Sequence, residues 1–178
     1  KKGTIGAHPT LLPQGRGRAS IPWAIIKKLK YTGVSFFKIN EGVDTGEIIS
    51  QDIIKLKDNE TASSLYKKVI DSHKKGISTI IPKLINAKIT LLEQNEFNAT
   101  YWPERKPEDG EINLLGSVYD AERLVRATTK PYPGAYFIRN SKKVIIWKAK
   151  ILKTNGRNSE YSFRNILEFK DGLLKIEE

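Results

Sequence analysis

The sequence predicts an α/β fold followed by a smaller, strand-rich C-terminal part, and three observations predict it. Two β-branched and aromatic runs, residues 32–39 and 47–54, are separated by the turn NEGVDTG. Over residues 61–87, Leu65, Val69, Ile77, Ile80, Ile81, Leu84 and Ile85 recur at helical spacing. After residue 117, one short helical stretch gives way to four short apolar runs with turn signals between them.

The elements follow in order. Residues 4–7 read as a short extended segment closed by His8, because Pro9 pushes the residue before it out of the helical region. Residues 10–19, with Pro13, Gly15 and Gly17, read as a loop. Ser20 is expected to cap a short helix reaching about Leu29, with Pro22 in its first turn. The strands at 32–39 and 47–54 leave Asp44 on the loop between them. The long helix takes Thr61 or Ser63 as its cap and is expected to bend at Pro82. His73, four residues after Val69 and four before Ile77, falls on its apolar stripe and reads as a partly buried structural histidine. Residues 99–113 have no period and are rich in Pro, Gly and charge, so they are expected to cross the surface as a connector. A helix at 120–128, the turn KPYPGAY, and strands at 136–139, 144–151, 165–169 and 173–176 complete the chain, the strands joined through NSKK and KDG turns. The expected organisation is an α/β domain over 1–98, a linker over 99–116 and a small α+β subdomain over 117–178.

Composition narrows the chemistry. With no cysteine and two distant histidines, the chain offers no disulfide, thiolate site or histidine cluster, and metal-free chemistry is expected. No stretch approaches the roughly 18 apolar residues that span a bilayer, and the first ten residues lack the apolar core of a signal peptide. The sequence therefore reads as that of a cytoplasmic protein with no membrane partner. A formal net charge of +11 favours a polyanionic partner, from nucleic acid to a nucleotide diphosphate. Much of it is lysine scattered through Lys27, Lys28, Lys67, Lys68, Lys74, Lys75, Lys142 and Lys143, which is also the pattern of a solvated surface.

Across HPTLLPQGRGRASIPWAII and TGVSFFKINEGVDTGEII, the sequence resembles the folate-dependent formyltransferases. This family includes enzymes that formylate methionyl-tRNA, glycinamide ribonucleotide and amino-sugar nucleotides. The segments RKPEDGEIN and LVRATTKPYPGAYF resemble the linker and the start of the C-terminal domain in the tRNA and sugar branches. The resemblance implies the C-terminal portion of a Rossmann-like catalytic domain, entered part-way, followed by the small antiparallel subdomain. It also departs from the family at one position. An Asn normally stands two residues before the histidine, and here that position is Gly6.

The residues themselves suit formyl transfer. A histidine at a strand's carboxyl end lies where α/β sheets bind ligands, and its ordinary pKa suits proton transfer near neutrality. By resemblance His8 and Asp44 form the catalytic pair, Asp44 fixing the imidazole and stabilising its protonated form. Val43, Asp44 and Thr45 are assigned to the co-substrate, N10-formyltetrahydrofolate. Arg16 and Arg18, on a Gly-flexed loop ahead of a helix, form a candidate phosphate cradle, and Trp23 a stacking surface for a base or sugar. Losing a donor at an oxyanion site costs on the order of 100- to 1000-fold in rate, so Gly6 predicts a weakened enzyme, with a noncatalytic binding module as the alternative. Arg and Trp after the Arg-Gly pair, and too few residues after Pro133 for a full barrel, favour an amino-sugar nucleotide as acceptor over initiator tRNA, and a homodimer is the weaker expectation of that branch.

Overall fold

The computed structural model describes residues 3–152 and 165–178. Within them the chain divides into two compact units, Lys1–Asp58 with Ser64–Arg105, and Asn59–Ser63 with Lys106–Glu178. No helix among the described residues is long and apolar enough to cross a membrane.

The first unit is built on a three-stranded antiparallel sheet. Strand β1 (Ile5–His8) is followed by the two-residue strand β2 (Arg16–Gly17), helix α1 (Ser20–Ile26), β3 (Tyr31–Lys38), β4 (Ile48–Lys55) and helix α2 (Ala62–Ile85), with the sheet order β1-β3-β4. Register pairs His8 with Ser35 and Gly6 with Phe37, so these four positions share one face. Val34 pairs with Asp52 on the opposite face, which also carries Phe36. There α2 approaches closely: His73 meets the Phe36 ring edge-on at 5.9 Å between centroids, and Ser72 and Lys75 both bond Asp52. His73 donates from Nδ1 to the Val69 carbonyl at 2.8 Å, which is the structural part expected of it. The sheet thus has a helix-covered face and a face left to His8.

Three expectations need correction in these elements. Ser20 is not the cap of α1. Ala19 holds that place in the left-handed region (φ 55°, ψ 34°) without a capping side chain, and the chain turns into the helix one residue early, burying Ser20 within it. Residues 99–113 are not a featureless connector. They include strand β5 (Tyr101–Trp102), which pairs in parallel with β2, and a 3-10 turn at Pro107–Gly110, and they bury Trp102. The run 144–151 is not one strand, as the second unit shows.

That unit holds helix α3 (Val118–Thr128), the hairpin β6 (Ala135–Arg139) and β7 (Lys142–Ile146), and a sheet of β8 (Ala149–Leu152), β9 (Ile166–Phe169) and β10 (Gly172–Ile176) in the order β8-β10-β9. All of these strand pairs are antiparallel. The chain breaks at Trp147 and Lys148, whose amides both donate to the Glu178 carbonyl, so the apolar run serves two sheets in succession. Val118, Val125, Phe137, Ile146, Leu167 and Leu174 are central to one buried cluster.

Candidate active site

His8 ends β1 and is 7% exposed. Its Nε2 lies 2.7 Å from the Gly15 carbonyl, where only a donating N–H fits, and its Nδ1 lies 3.4 Å from Oδ2 of Asp44. Both ring nitrogens therefore face acceptors. The neutral ring satisfies the carbonyl through Nε2–H, and a second proton on Nδ1 meets the carboxylate.

Asp44 is fixed from several sides. It stands in the left-handed region at φ 55°, a conformation that costs a residue with a side chain about 1 kcal/mol or more. Its Oδ2 accepts the Gly17 amide at 2.9 Å. Its carbonyl and that of Gly46 both accept from Nε2 of Gln94, at 2.8 and 2.7 Å. Gln94 reaches them because Leu92 exchanges backbone hydrogen bonds with Ile48 at the start of β4, which brings the 92–94 segment beside the loop.

The Gly15–Gly17 segment is held along β5. The Gly15 amide donates to the Thr100 hydroxyl, and the Arg16 and Arg18 amides donate to the Thr100 and Trp102 carbonyls. Gly17 has φ 102°, and a Cβ there would lie 2.5 Å from the Trp102 carbonyl oxygen, so the close approach requires glycine.

Arg16 corrects the expected phosphate cradle. Its side chain is fully buried and every guanidinium N–H is committed internally: Nε and Nη2 donate to Gln94 Oε1, Nη1 and Nη2 to the Glu96 carboxylate at 2.9 and 2.6 Å, and Nη1 also to the Tyr101 hydroxyl. The bond to Glu96 holds the guanidinium above its ordinary value and the Glu96 carboxyl below its own. A cation so satisfied has no donor left for a ligand phosphate. Arg18 differs, since its side chain is 70% exposed and pairs with Glu104 at the surface. Trp23 is half-buried, donates from Nε1 to the Pro103 carbonyl at 2.9 Å, and has Arg105 and Lys27 over its ring at 4.9 and 5.5 Å. Arg18 and Trp23 are thus tied to residues 103–105, whereas His8, Asp44 and the 15–17 segment converge on one point.

Val43 is 61% exposed, next to Asp44. Thr45 donates to Asn40 and lines, with Lys38, Asn40, Gly46, Glu47, Glu93 and Gln94, an open cavity of about 240 Å³. At Gly6, on the His8 face, the Phe37 ring and Ile39 occupy the space a side chain would need. Gln94, Glu96, Tyr101 and Thr100 escaped the sequence reading. They lie 78 to 85 residues from the segment they hold, on a stretch without period, and no local signal marks them.

The family described as Formyl transferase matches residues 1–81, and that described as Formyl transferase, C-terminal domain, matches residues 105–177. A curated relative, the bifunctional polymyxin resistance protein ArnA of Wigglesworthia glossinidia brevipalpis, is 36% identical over 151 residues, which are 85% of this chain and 23% of that protein. The fold is similar to WlaRD, a sugar 3N-formyl transferase solved in the presence of dTDP and 5-N-formyl-THF, with a TM-score of 0.70 and 25% identity over 97% of this chain and 63% of that one. It is similar, also at 25% identity, to methionyl-tRNA formyltransferase from Clostridium thermocellum, with a TM-score of 0.68 over 86% of this chain and 64% of that one. The chain spans less than two thirds of each of these relatives.

Proposed function

The chain belongs to the formyl transferase family, and we propose that it moves a formyl group from N10-formyltetrahydrofolate to the amine of a nucleotide-linked amino sugar. The observation that carries this is the pairing of His8, buried at the end of β1, with the half-buried Asp44, which is locked by the Gly17 amide. The amine attacks the formyl carbon, a C–N bond forms, and the bond from that carbon to N10 of the folate breaks. The proton lost by the amine passes to His8 and then to N10, so that tetrahydrofolate leaves neutral at that nitrogen. Once Nε2 has taken the amine's proton, the imidazolium is held by Asp44 through Nδ1, and it supplies the positive charge that a tetrahedral oxyanion needs in the absence of a side chain at Gly6. The amine reaches the ring by displacing the Gly15 carbonyl from Nε2, while the ring proton sits on Nδ1 against Asp44 and leaves the Nε2 lone pair free to accept.

An exposed Arg18 ahead of α1 and a half-buried Trp23 suit a phosphate and an attached ring. Val43 and Thr45 flank Asp44 on the side proposed for the folate. Initiator tRNA is the second reading. The net charge of +11 favours it, and the chain shares the same 25% identity with the tRNA enzyme and with the sugar enzyme WlaRD.

The test is release of tetrahydrofolate by the full-length protein, offered dTDP- and UDP-amino sugars in parallel with charged initiator tRNA. Turnover with a sugar, reduced about 100- to 10,000-fold in His8→Ala, is the expected result. Turnover with tRNA alone moves the acceptor to the second reading. Turnover with neither leaves a binding module on a formyltransferase fold.

A further inference from the structure

Asp44 faces His8 only while its loop keeps a left-handed turn, and the chain supplies the restraint from far away in sequence. We infer that Gln94, oriented by the buried Arg16, is the positioning residue that holds Asp44 against His8, an inference that deepens the formyl-transfer reading and rests on it.

The amide of Gln94 has one orientation available. Its Nε2 meets two carbonyl oxygens, of Asp44 and Gly46, where only a donor is tolerated. Its Oε1 meets Nε and Nη2 of Arg16, where only an acceptor is. Arg16 cannot swing away, because Glu96 binds it through both carboxylate oxygens and Tyr101 takes a further donor. The guanidinium is fully buried, and its own backbone pairs with Tyr101 in the β2–β5 ladder. The same short segment, residues 15–17, presents Gly15 to His8 and Gly17 to Asp44. One rigid segment therefore fixes the histidine directly, the carboxylate through Gly17, and the carboxylate's backbone through Arg16 and Gln94. Gln94 touches neither His8 nor the Asp44 side chain, so its action runs through the loop.

Gln94→Glu separates this from a merely structural part. The substitution keeps the volume and the partner for Arg16 but places an oxygen against the Asp44 and Gly46 carbonyls. The expected result is a kcat lowered about 10- to 100-fold, as for a misplaced catalytic group, with KM for the formyl donor little changed. The imidazole ¹⁵N signals of His8 are expected to move as they do in Asp44→Asn, and Gln94→Glu added to Asp44→Asn is expected to cost nothing more. Unmoved ¹⁵N signals, an unchanged kcat, or full additivity with Asp44→Asn would each overturn the inference. Gln94→Leu, which sets no charge against the carbonyls, repeats the comparison if the first variant fails to fold. Should the full-length protein transfer no formyl group to any acceptor, the function proposed above fails by itself, and the ¹⁵N comparison alone decides whether Gln94 positions Asp44.

Discussion

At Gly6 an ideal Cβ would lie 2.9 Å from Cζ of Phe37, 3.0 Å from its Cε1 and 3.2 Å from Cγ1 of Ile39. Phe37 is itself buried and packs with Leu12 and Ile48. The two positions are directly paired across β1 and β3, so the aromatic ring and the missing side chain are one arrangement. Gly6→Ala is expected to destabilise the protein by about 1–3 kcal/mol, the usual cost of overpacking. Gly6→Asn is expected to do the same, and joined to Phe37→Leu it should lose less than the two single changes together, because the smaller side chain vacates what the amide needs. Urea unfolding of the four proteins measures this coupling. Simple additivity would mean that Phe37 does not stand in the way of an amide. Nothing in the sequence announces the pairing, since Gly6 and Phe37 meet only through register.

Helix α3 shows how an element can depend on a residue from another strand turn. Ser117 accepts the Tyr119 amide and donates its hydroxyl to Asp171 at 2.7 Å, and the other Asp171 oxygen accepts the Val118 amide at 2.8 Å. Two of the free amides at the start of α3 are thus satisfied, one by its own cap and one by the turn between β9 and β10. Ser117→Ala is expected to cost about 1 kcal/mol. The Ser117 hydroxyl, then the Val118 amide, hold the Asp171 carboxyl below its ordinary value of 3.8. A carboxyl depressed by folding adds stability that is fully present above that ordinary value and is lost as pH falls below it. Wild type should therefore unfold at higher temperature than Asp171→Asn near pH 6, with the gap closing as the pH is taken down toward about 2. A constant gap over that range would remove the carboxylate from the cap. The sequence pattern places this helix at 120–128, two residues late, because its periodicity begins inside the first turn and the partner that starts it lies 53 residues away.

For the molecule as a whole, legibility followed distance in sequence. His8 at a strand end and Asp44 on a loop were readable because a proline and a pair of glycines punctuate the chain beside them. Arg16 was misread because a short Gly-Arg-Gly-Arg loop looks like a phosphate site until Gln94, Glu96 and Tyr101 arrive from residues 78 to 85 positions on. The strand break at 147–148 was hidden since both halves are apolar and the Glu178 carbonyl that bends the chain is at its far end. Net charge is a property of the same scale, and it can choose between acceptors. The charge of +11 includes Lys27, Lys28, Lys67, Lys74, Lys75, Lys142 and Lys143, all of them exposed. A tRNA held by such side chains releases condensed counterions, so its affinity should fall steeply with salt, by about 10³-fold or more between 50 and 200 mM where six or more phosphates are contacted. A nucleotide sugar carries two phosphates and no condensed layer, and its affinity should fall by less than about tenfold over that range. Titrating each acceptor into the full-length protein at the two salt concentrations reads both slopes. Tight sugar binding with a shallow slope, beside tRNA binding that vanishes at the higher salt, would assign the lysines to surface solvation and the acceptor to the sugar. Persistent tRNA binding at 200 mM would instead require a built tRNA surface and reverse the assignment.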